Sequence, residues 1–176
     1  MRIRHVTRGY NVAPLWWALA EHPELWNQTS DRTTPPMSPH FGLSDIYVRY
    51  SARHPLDRED HESVWYPAAE VLPVHDLIFR LMAEERGERL GGVLITKIPA
   101  GMECKPHRDG GWHAGYYEKF GIQIASAPGQ RFCFEGESLE TKPGDVFWFD
   151  NSHTHWVTNP TPFDRVTLIV TLKRGG

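Results

Sequence analysis

Residues 143–149 read Pro-Gly-Asp-Val-Phe-Trp-Phe, and residues 165–172 read Arg-Val-Thr-Leu-Ile-Val-Thr-Leu. Both are short runs rich in β-branched or aromatic residues, and a Pro-Gly turn opens the first. Three segments upstream are also rich in β-branched or aromatic residues: residues 93–98, 120–124 and 131–134. Turns that contain Pro or Gly separate them. Many short strands without intervening helices are typical of a β-sandwich or barrel rather than a parallel sheet.

The first half of the chain contains the helical signals. Residues 14–25 predict a short helix that begins at Pro14 and is broken by Pro23. Residues 27–45 are rich in Thr, Ser, Pro and Asn, and predict a long loop that could form the wall or lid of a pocket. Apolar residues recur at helical spacing from Pro73, and Gly87 can end this second helix. The pattern therefore predicts a mostly β jelly roll, cupin-like in shape, with supporting helices at the N-terminus.

The size of the chain is that of one domain. We expect a single domain over residues 1–176, in which residues 1–90 supply helices and pocket walls and residues 91–173 form the catalytic jelly-roll core. With 40% apolar and 12% aromatic residues the chain should fold, and its net charge of -3 gives no reason to expect nucleic acid or an anionic membrane as a partner.

The expected location is the cytoplasm. Cys104 and Cys133 do not form a C-x-x-C pair, and two cysteines do not make a disulfide framework. No apolar run approaches the roughly 18 residues that span a bilayer. Arg2, Arg4 and Arg8 precede an apolar stretch that resembles a signal peptide, but its Pro and two Trp favour a packed helix.

The residues best suited to chemistry are His107 and Asp109, in the sequence His-Arg-Asp, together with His155, 48 residues after His107. In an extended strand, residues i and i+2 point to the same face, so His107 and Asp109 can bind one ion while a distant strand supplies His155. Two imidazoles and one carboxylate on one face of an octahedron leave the other positions open for ligands, as in non-haem Fe(II) oxygenases. The pattern predicts an iron site at these three residues.

Arg165 opens the last strand, ten residues after His155. Strand alternation places Arg165 and Thr167 on one face and Val166, Leu168 and Val170 on the other. An arginine in a row of residues that face the barrel interior needs a buried anion, and its planar guanidinium suits a carboxylate. The remote carboxylate of 2-oxoglutarate would meet that need.

Together these motifs resemble a known family. The segments His107-x-Asp109, Pro143-Gly-Asp, Phe149-Asp-Asn-Ser, His155 and Arg165-Val-Thr-Leu-Ile-Val are similar to those of the aspartyl/asparaginyl β-hydroxylase branch of the Fe(II)- and 2-oxoglutarate-dependent oxygenases. The resemblance covers about residues 91–173. It implies a double-stranded β-helix fold, and it implies that His155 is the distal metal ligand. It also implies that Arg165 binds the cosubstrate carboxylate and that Thr96 touches the same carboxylate.

The same resemblance implies the reaction. The enzyme would be a dioxygenase that uses Fe(II), 2-oxoglutarate and O2 to hydroxylate an unactivated C–H bond, with release of succinate and CO2. The substrate would be amino-acid-like: a free amino acid, a peptide or a protein side chain. Asp109 stands where the well-known aspartyl hydroxylases have Gly, whereas free-proline hydroxylases keep the Asp. This difference favours a free amino acid or another small molecule.

Several further residues are candidates for binding. The strand after the first metal ligands lacks the family's Arg and His, and offers Lys119 and Gln123 as cosubstrate ligands instead. Lys119 could also bind an acidic substrate or be a solvated side chain. His153 competes with His155 for the metal, and is otherwise a hydrogen-bonded neighbour. Candidates for substrate contact are Trp112, His113 and Trp156. The alternative for the two tryptophans is packing in the core, and the alternative for His113 is a position in a loop without contact to the substrate. Arg108 should point away from the metal, as a surface or rim charge.

Two other functions remain open. A cupin-like metal protein could use the three ligands in an isomerase or thiol oxygenase without 2-oxoglutarate, although it would not need Arg165 and Thr96. Alternatively, the chain could be a non-catalytic jelly-roll module that binds a partner, with incidental histidines.

Overall fold

The computed structural model describes residues 1–175. The first half contains strand β1 (Ile3–Thr7), helix α1 (Ala13–Glu21), a short 3-10 helix (Pro23–Leu25), strands β2 (Ser44–Ser51) and β3 (Ser63–Trp65), and helices α2 (Ala68–Val71) and α3 (His75–Glu84). The second half contains β4 (Gly87–Ile98), β5 (Glu103–His107), α4 (Trp112–Tyr116), β6 (Glu118–Ala125), β7 (Arg131–Phe134), β8 (Glu137–Leu139), β9 (Val146–Phe149), β10 (His155–Thr158) and β11 (Arg165–Arg174).

The strands form two antiparallel sheets. The major sheet has seven strands in the order β1-β9-β6-β11-β4-β2-β3, and the minor sheet has four in the order β5-β10-β7-β8. Apolar side chains of both sheets meet in one core cluster, which includes Ile98 and Phe147 from the major sheet and Phe132 and Val157 from the minor sheet. The predicted mostly β jelly roll is therefore confirmed, as two packed sheets rather than a closed barrel.

Helices α1, α2 and α3 cover the outer face of the major sheet. A second core cluster joins Leu15 of α1 and Ile78 of α3 to Val166, Leu168 and Val170 of β11. Residue Ile169 of β11 packs instead into the cluster between the sheets. The predicted alternation along β11 is therefore correct: one row faces the helices, and the row that begins with Arg165 faces the minor sheet.

The N-terminal segment holds an element that the composition does not reveal. Residues 3–7 form an edge strand of the major sheet that pairs with β9. Helix α1 then begins at Ala13, one residue before the predicted start, and buries Leu15 and Leu19. None of the described helices is both long and apolar enough to cross a membrane.

The predicted end of helix α3 is wrong by a few residues. The helix stops at Glu84, and the left-handed backbone position is occupied by Arg86, with φ of 55°, rather than by Gly87. Gly87 instead opens β4, which runs through Gly91 and Gly92 without a break. A Cβ on Gly91 would lie 2.5 Å from the Thr171 hydroxyl, so this strand needs glycine for close approach and not for a turn.

Candidate functional site

The two histidines of the predicted metal site lie side by side on the minor sheet. Strands β5 and β10 are antiparallel neighbours, and His107 is the register partner of His155. Their ring centroids are 4.5 Å apart. Asp109 lies two residues beyond the end of β5 rather than within it, and its backbone N–H donates to the Asn151 carbonyl at 3.1 Å. The three residues thus converge, but the i, i+2 strand geometry assumed for Asp109 is replaced by a loop.

Hydrogen bonds fix the tautomer of both imidazoles. Nδ1 of His107 lies 2.8 Å from the Lys105 carbonyl, and Nδ1 of His155 lies 2.9 Å from the His153 carbonyl. Since a carbonyl oxygen can only accept, each Nδ1 carries the proton and each Nε2 keeps a free lone pair. Nε2 of His107 and Nε2 of His155 lie 3.7 and 3.8 Å from the Asp109 carboxylate oxygens. His107, Asp109 and His155 each have a potential ligand atom, and these three atoms lie within 4.8 Å of one another.

The protonation states also suit a metal. Burial lowers the pKa of His155 to about 4 and lowers that of His107. Although burial acts to raise the pKa of Asp109, the Lys119 ammonium holds it well below its usual range. Its Nζ donates to Oδ2 of Asp109 at 2.7 Å. At neutral pH the site therefore offers two neutral imidazoles and one carboxylate, a donor set that fits a ferrous ion.

A narrow cavity of about 90 Å³ extends between the sheets from these ligands. Its walls include His107, Asp109 and His155 together with Arg165 and apolar side chains, among them Phe132 and Phe147. We call this space the inner cavity. It brings the predicted metal ligands and the predicted anion-binding arginine into one compartment.

Arg165 is almost fully enclosed, with 2% of its surface exposed. Its Nη2 donates to the Thr141 hydroxyl at 3.2 Å, while its Nη1 is buried and has no partner among the described residues. Burial lowers the pKa of Arg165 to about 10, which still leaves the guanidinium charged at neutral pH. A buried cation with an unused donor is costly unless an anion binds to it. A dicarboxylate cosubstrate fits this position.

The remaining predicted cosubstrate ligands differ in their surroundings. Thr96 lines the inner cavity, but its hydroxyl donates to Oδ1 of Asp45 at 2.7 Å. Lys119 also lines the cavity and pairs with Asp109. Gln123 does not line it: it is fully buried, and its amide donates to the Val166 carbonyl at 2.8 Å. Its Oε1 accepts hydrogen bonds from the hydroxyls of Thr141 and Thr167, so Gln123 lies behind the cavity wall and supports the hydroxyl that binds Arg165.

A larger cavity of about 590 Å³ shares His107 and Asp109 with the inner cavity, and we call it the outer cavity. The loop over residues 27–45 supplies several of its walls, in agreement with the predicted pocket wall. Arg32 and His40 of this loop line both cavities. Arg32 forms a two-point ion pair with the buried Asp45, at 2.5 and 2.9 Å. Sequence reasoning did not single out these residues, because the loop carries no recognisable motif.

Of the three predicted substrate residues, only His113 reaches the outer cavity. It lies in the short helix α4 and is buried, so its loop alternative is wrong. Its Nε2 accepts a hydrogen bond from the Gly92 N–H at 3.1 Å. Trp112 lines neither cavity and stacks on Tyr116, with ring centroids 4.8 Å apart. Trp156 also lines neither cavity, because strand alternation turns it away from the face that carries His155.

The competing histidine lies outside the metal cluster. His153 is in the turn before β10, and its Nδ1 lies 2.8 Å from Oδ2 of Asp150. It contributes its carbonyl to His155, as the neighbour alternative predicts. A second group, His40, Cys104 and His107, also brings metal-ligating atoms together, but it shares His107 with the triad. Cys104 and Cys133 are both free and buried.

Comparisons with known proteins agree with this geometry. Residues 69–175 match the family model described as aspartyl/asparaginyl beta-hydroxylase. A collagen prolyl hydroxylase from Paramecium bursaria Chlorella virus-1, solved with 2-oxoglutarate, has the same fold, with a TM-score of 0.59 and 7% identity over 100% of this chain and 97% of that one. A prolyl hydroxylase from Trichoplax adhaerens, solved with a peptide of hypoxia inducible factor, has a TM-score of 0.58 and 10% identity over 97% of this chain and 83% of that one.

A third solved structure is an oxidoreductase of the 2OG-Fe(II) oxygenase family from Burkholderia pseudomallei. It has a TM-score of 0.55 and 18% identity, covering 76% of this chain and 67% of that one. No curated protein is significantly similar to this chain in sequence. The solved structures support the fold, and the family model covers more than half of the sequence. The chain belongs to the aspartyl/asparaginyl beta-hydroxylase family.

Proposed function

We propose that the protein is an Fe(II)- and 2-oxoglutarate-dependent dioxygenase that hydroxylates an unactivated C–H bond of an amino-acid-like substrate. The single observation that supports it best is the inner cavity, which joins the three candidate metal ligands to a buried arginine that has no anionic partner among residues 1–175. A metal site alone would serve many reactions. A metal site with an enclosed guanidinium beside it suits a cosubstrate that has a carboxylate at each end.

In this proposal His107, Asp109 and His155 hold the ferrous ion through two Nε2 atoms and a carboxylate oxygen. The bound metal and cosubstrate would supply an oxidant strong enough for a C–H bond, with 2-oxoglutarate converted to succinate and CO2. The protein residues supply position and environment. Arg165 binds the remote carboxylate, and the carbonyls of Lys105 and His153 keep both imidazoles in the tautomer that ligation needs.

Apolar side chains shield part of the inner cavity from solvent. Phe132, Phe147 and Phe149 line it together with Ile169, and none of the three phenylalanines is more than 5% exposed. This shielding would strengthen the attraction between Arg165 and a carboxylate, and would limit side reactions of the oxidant with water. The substrate would enter through the outer cavity, which reaches His107 and Asp109.

The second candidate is a cupin-like metalloprotein with chemistry that does not involve 2-oxoglutarate. The three ligands suit it equally well, but it gives no reason to bury Arg165 without an anion. We therefore favour the oxygenase. A non-catalytic binding module would give no reason either for the three clustered metal-ligating side chains or for the buried Arg165.

Anaerobic titration with Fe(II) and then 2-oxoglutarate tests the proposal. An iron-bound 2-oxo acid gives a weak visible charge-transfer band, and we expect this band with the wild-type protein. His155→Ala should lose it, whereas His153→Ala, which changes a neighbouring exposed histidine, should keep it. Wild-type protein without the band would refute the proposed function.

A further inference from the structure

The outer cavity contains more cations than carboxylates. Four basic side chains line it, and two acidic ones, Asp31 and Asp109. Lys119 is paired with Asp109, and Arg32 with Asp45, so both of these cations are neutralised within the protein. The other two basic residues are Arg58 and Arg108.

Neither of these two guanidiniums has a carboxylate partner among residues 1–175. Arg108 donates from Nε to the Thr154 hydroxyl at 3.0 Å, which leaves its terminal nitrogens free. Asp31, the acid that remains, lies 3.3 Å from Nε2 of His54. The cavity mouth thus carries unbalanced positive charge, and a surface of this kind favours an anionic ligand.

The backbone places both arginines beside Asp109. Arg108 precedes it in the chain. The carbonyl of Arg58 accepts the Trp112 N–H at 2.9 Å, and a Cβ on Gly111 would lie 2.8 Å from the Arg58 Cβ. Gly111, with φ of 86°, therefore allows the Arg58 segment to pack against the turn that follows Asp109. The two guanidiniums belong to segments on either side of this metal-ligating residue.

The size of the cavity adds a second constraint. A volume of about 590 Å³ corresponds to about 20 water molecules at roughly 30 Å³ each. This is more space than a single small amino acid fills, and it lies within the range of roughly 300–1,000 Å³ that is usual for larger ligands. Neutral polar groups and apolar residues, including His113, Tyr47 and Leu94, form the remaining walls.

We propose that the substrate is a peptide-like molecule with a carboxylate, and that Arg58 and Arg108 bind this carboxylate at the mouth of the outer cavity. This inference rests on the proposed function and names the substrate class of the same site. Binding at the mouth would leave the residue to be hydroxylated pointing inward, towards His107 and Asp109. The carboxylate could belong to a C-terminus or to an acidic side chain.

Matched peptide mixtures test this proposal. The probes are four mixtures of N-acetylated tripeptides with varied residues at the first two positions. The third residue is Ala with a free C-terminal carboxylate, Ala with a C-terminal amide, Asp with a C-terminal amide, or Asn with a C-terminal amide. The metal-loaded protein is incubated with each mixture, 2-oxoglutarate and O2, and peptides that gain one oxygen atom are counted by mass spectrometry. The Ala pair tests a terminal carboxylate, and the Asp and Asn pair tests a side-chain carboxylate.

We expect at least one acidic mixture to be hydroxylated about five- to tenfold faster than its neutral partner, because two solvent-exposed charge contacts contribute modestly. The preference should shrink towards unity in R58Q/R108Q and should weaken with added salt. R131Q is the matched control, since Arg131 is exposed, paired with Glu140 and outside both cavities. Thermal melting of each variant establishes that it is folded.

Three results would overturn the inference. They are equal or faster reaction of both neutral mixtures, an acid preference that persists in R58Q/R108Q, and no hydroxylation of any mixture by a wild-type protein that forms the charge-transfer band. Wild-type protein that lacks the band refutes the proposed function instead, so the two failures are distinguishable.

Discussion

Arg165 carries a charge between two sheets of largely apolar side chains, with one hydrogen bond and one unused buried donor. In the absence of a bound anion, this arrangement costs folding free energy. We therefore predict that Arg165→Met raises the free energy of unfolding of the ligand-free protein by roughly 1–3 kcal/mol, because an apolar chain of similar length replaces an uncompensated charge. Chemical denaturation without metal or cosubstrate measures it.

The same variant should bind 2-oxoglutarate about 30- to 100-fold more weakly, because a buried charged hydrogen-bond partner is lost. Its affinity for the metal should change little. Isothermal titration into Mn(II)-loaded protein measures both quantities, and Arg131→Met serves as the exposed control. A variant that is destabilised and binds 2-oxoglutarate normally would show that Arg165 has a structural role only.

Lys119 contacts a predicted metal ligand, which supports a role in addition to the cosubstrate binding expected from the sequence. Its ammonium contacts Asp109, so it can position a metal ligand rather than hold the cosubstrate alone. We predict that Lys119→Met lowers the affinity for Co(II) by about tenfold, as is usual when the partner of a ligand is removed. Lys119→Arg should retain most of the wild-type affinity for Co(II). An unchanged Co(II) affinity together with weaker 2-oxoglutarate binding would instead support the cosubstrate role.

At the residue scale, the sequence predicts the side chains whose chemistry leaves few alternatives. His107, Asp109, His155 and Arg165 all reach one cavity. Trp156 does not, because it alternates with His155 along β10 and faces the other side. Gln123 is on the inner face of β6 but lies behind the cavity wall, bonded to Thr141 and Thr167. Arg32 and His40 could not be predicted, since their loop has no periodicity to orient them.

Strand packing around Gly121 provides a prediction at the element scale. A Cβ on this residue would lie 2.2 Å from the ring of Phe147, on the neighbouring strand β9. Phe147 is fully buried, so the ring cannot move into solvent. We predict that Gly121→Ala lowers the free energy of unfolding by about 1–3 kcal/mol through overpacking. Thermal or urea denaturation measures it.

The control for this variant is Gly115→Ala in helix α4. Beyond the backbone of its own helix and its chain neighbours, none of the described residues has an atom within 4 Å of a Cβ at Gly115, and the residue is helical. Alanine there should be neutral or stabilising by up to about 1 kcal/mol. Equal stability of Gly121→Ala and the wild type would mean that β6 and β9 are less closely packed than the structure describes.

The C-terminal end of α3 is tied to the N-terminal segment through Glu84. Its carboxylate accepts hydrogen bonds from the Tyr10 hydroxyl and from Nε of Arg80, each at 2.8 Å. Although partial burial acts to raise the pKa of Glu84, these bonds lower it below its ordinary value. A lowered pKa means that the contribution to stability is complete above the unfolded-state pKa, and is lost as pH falls through the folded-state pKa.

We therefore predict that Glu84→Gln costs about 0.5–1 kcal/mol at neutral pH, a value reduced by solvent screening. The difference from the wild type should shrink below about pH 4, where the unfolded carboxyl becomes protonated. Urea denaturation across pH measures this, with the exposed Glu21→Gln as control. A difference that grows as pH falls would contradict the assignment.

Elements differ in how well the sequence predicts them. Strands β6, β7, β9 and β11 are recognisable because each is a run of β-branched or aromatic residues between turns. Strands β1, β3 and β8 are short, and each lies at the edge of its sheet. Tertiary contacts rather than local pattern determine such edges. Local pattern does not predict the left-handed backbone of Arg86 either, because it comes from the tight connection between α3 and β4.

At the scale of the whole molecule, the site lies where three layers meet. The minor sheet supplies His107 and His155, the major sheet supplies Arg165, and the loop over residues 27–45 lines both cavities. Helices α1, α2 and α3 pack on the far face of the major sheet and leave its inner face to the site. The sequence predicts this layering from the change of character near residue 91, and it predicts the first-half loop as a pocket wall, but not which residues of that loop line the cavities.

We propose that one ferrous ion binds to three side chains while Arg165 holds the far carboxylate of 2-oxoglutarate. Anomalous X-ray diffraction at the iron edge, from crystals grown anaerobically with Fe(II) and 2-oxoglutarate, would locate both ligands. We expect one iron peak at about 2.0–2.2 Å from Nε2 of His107, Nε2 of His155 and an Asp109 oxygen, with cosubstrate density ending at Arg165. An iron peak at His40 and Cys104, or cosubstrate density that leaves Arg165 without a partner, would contradict it.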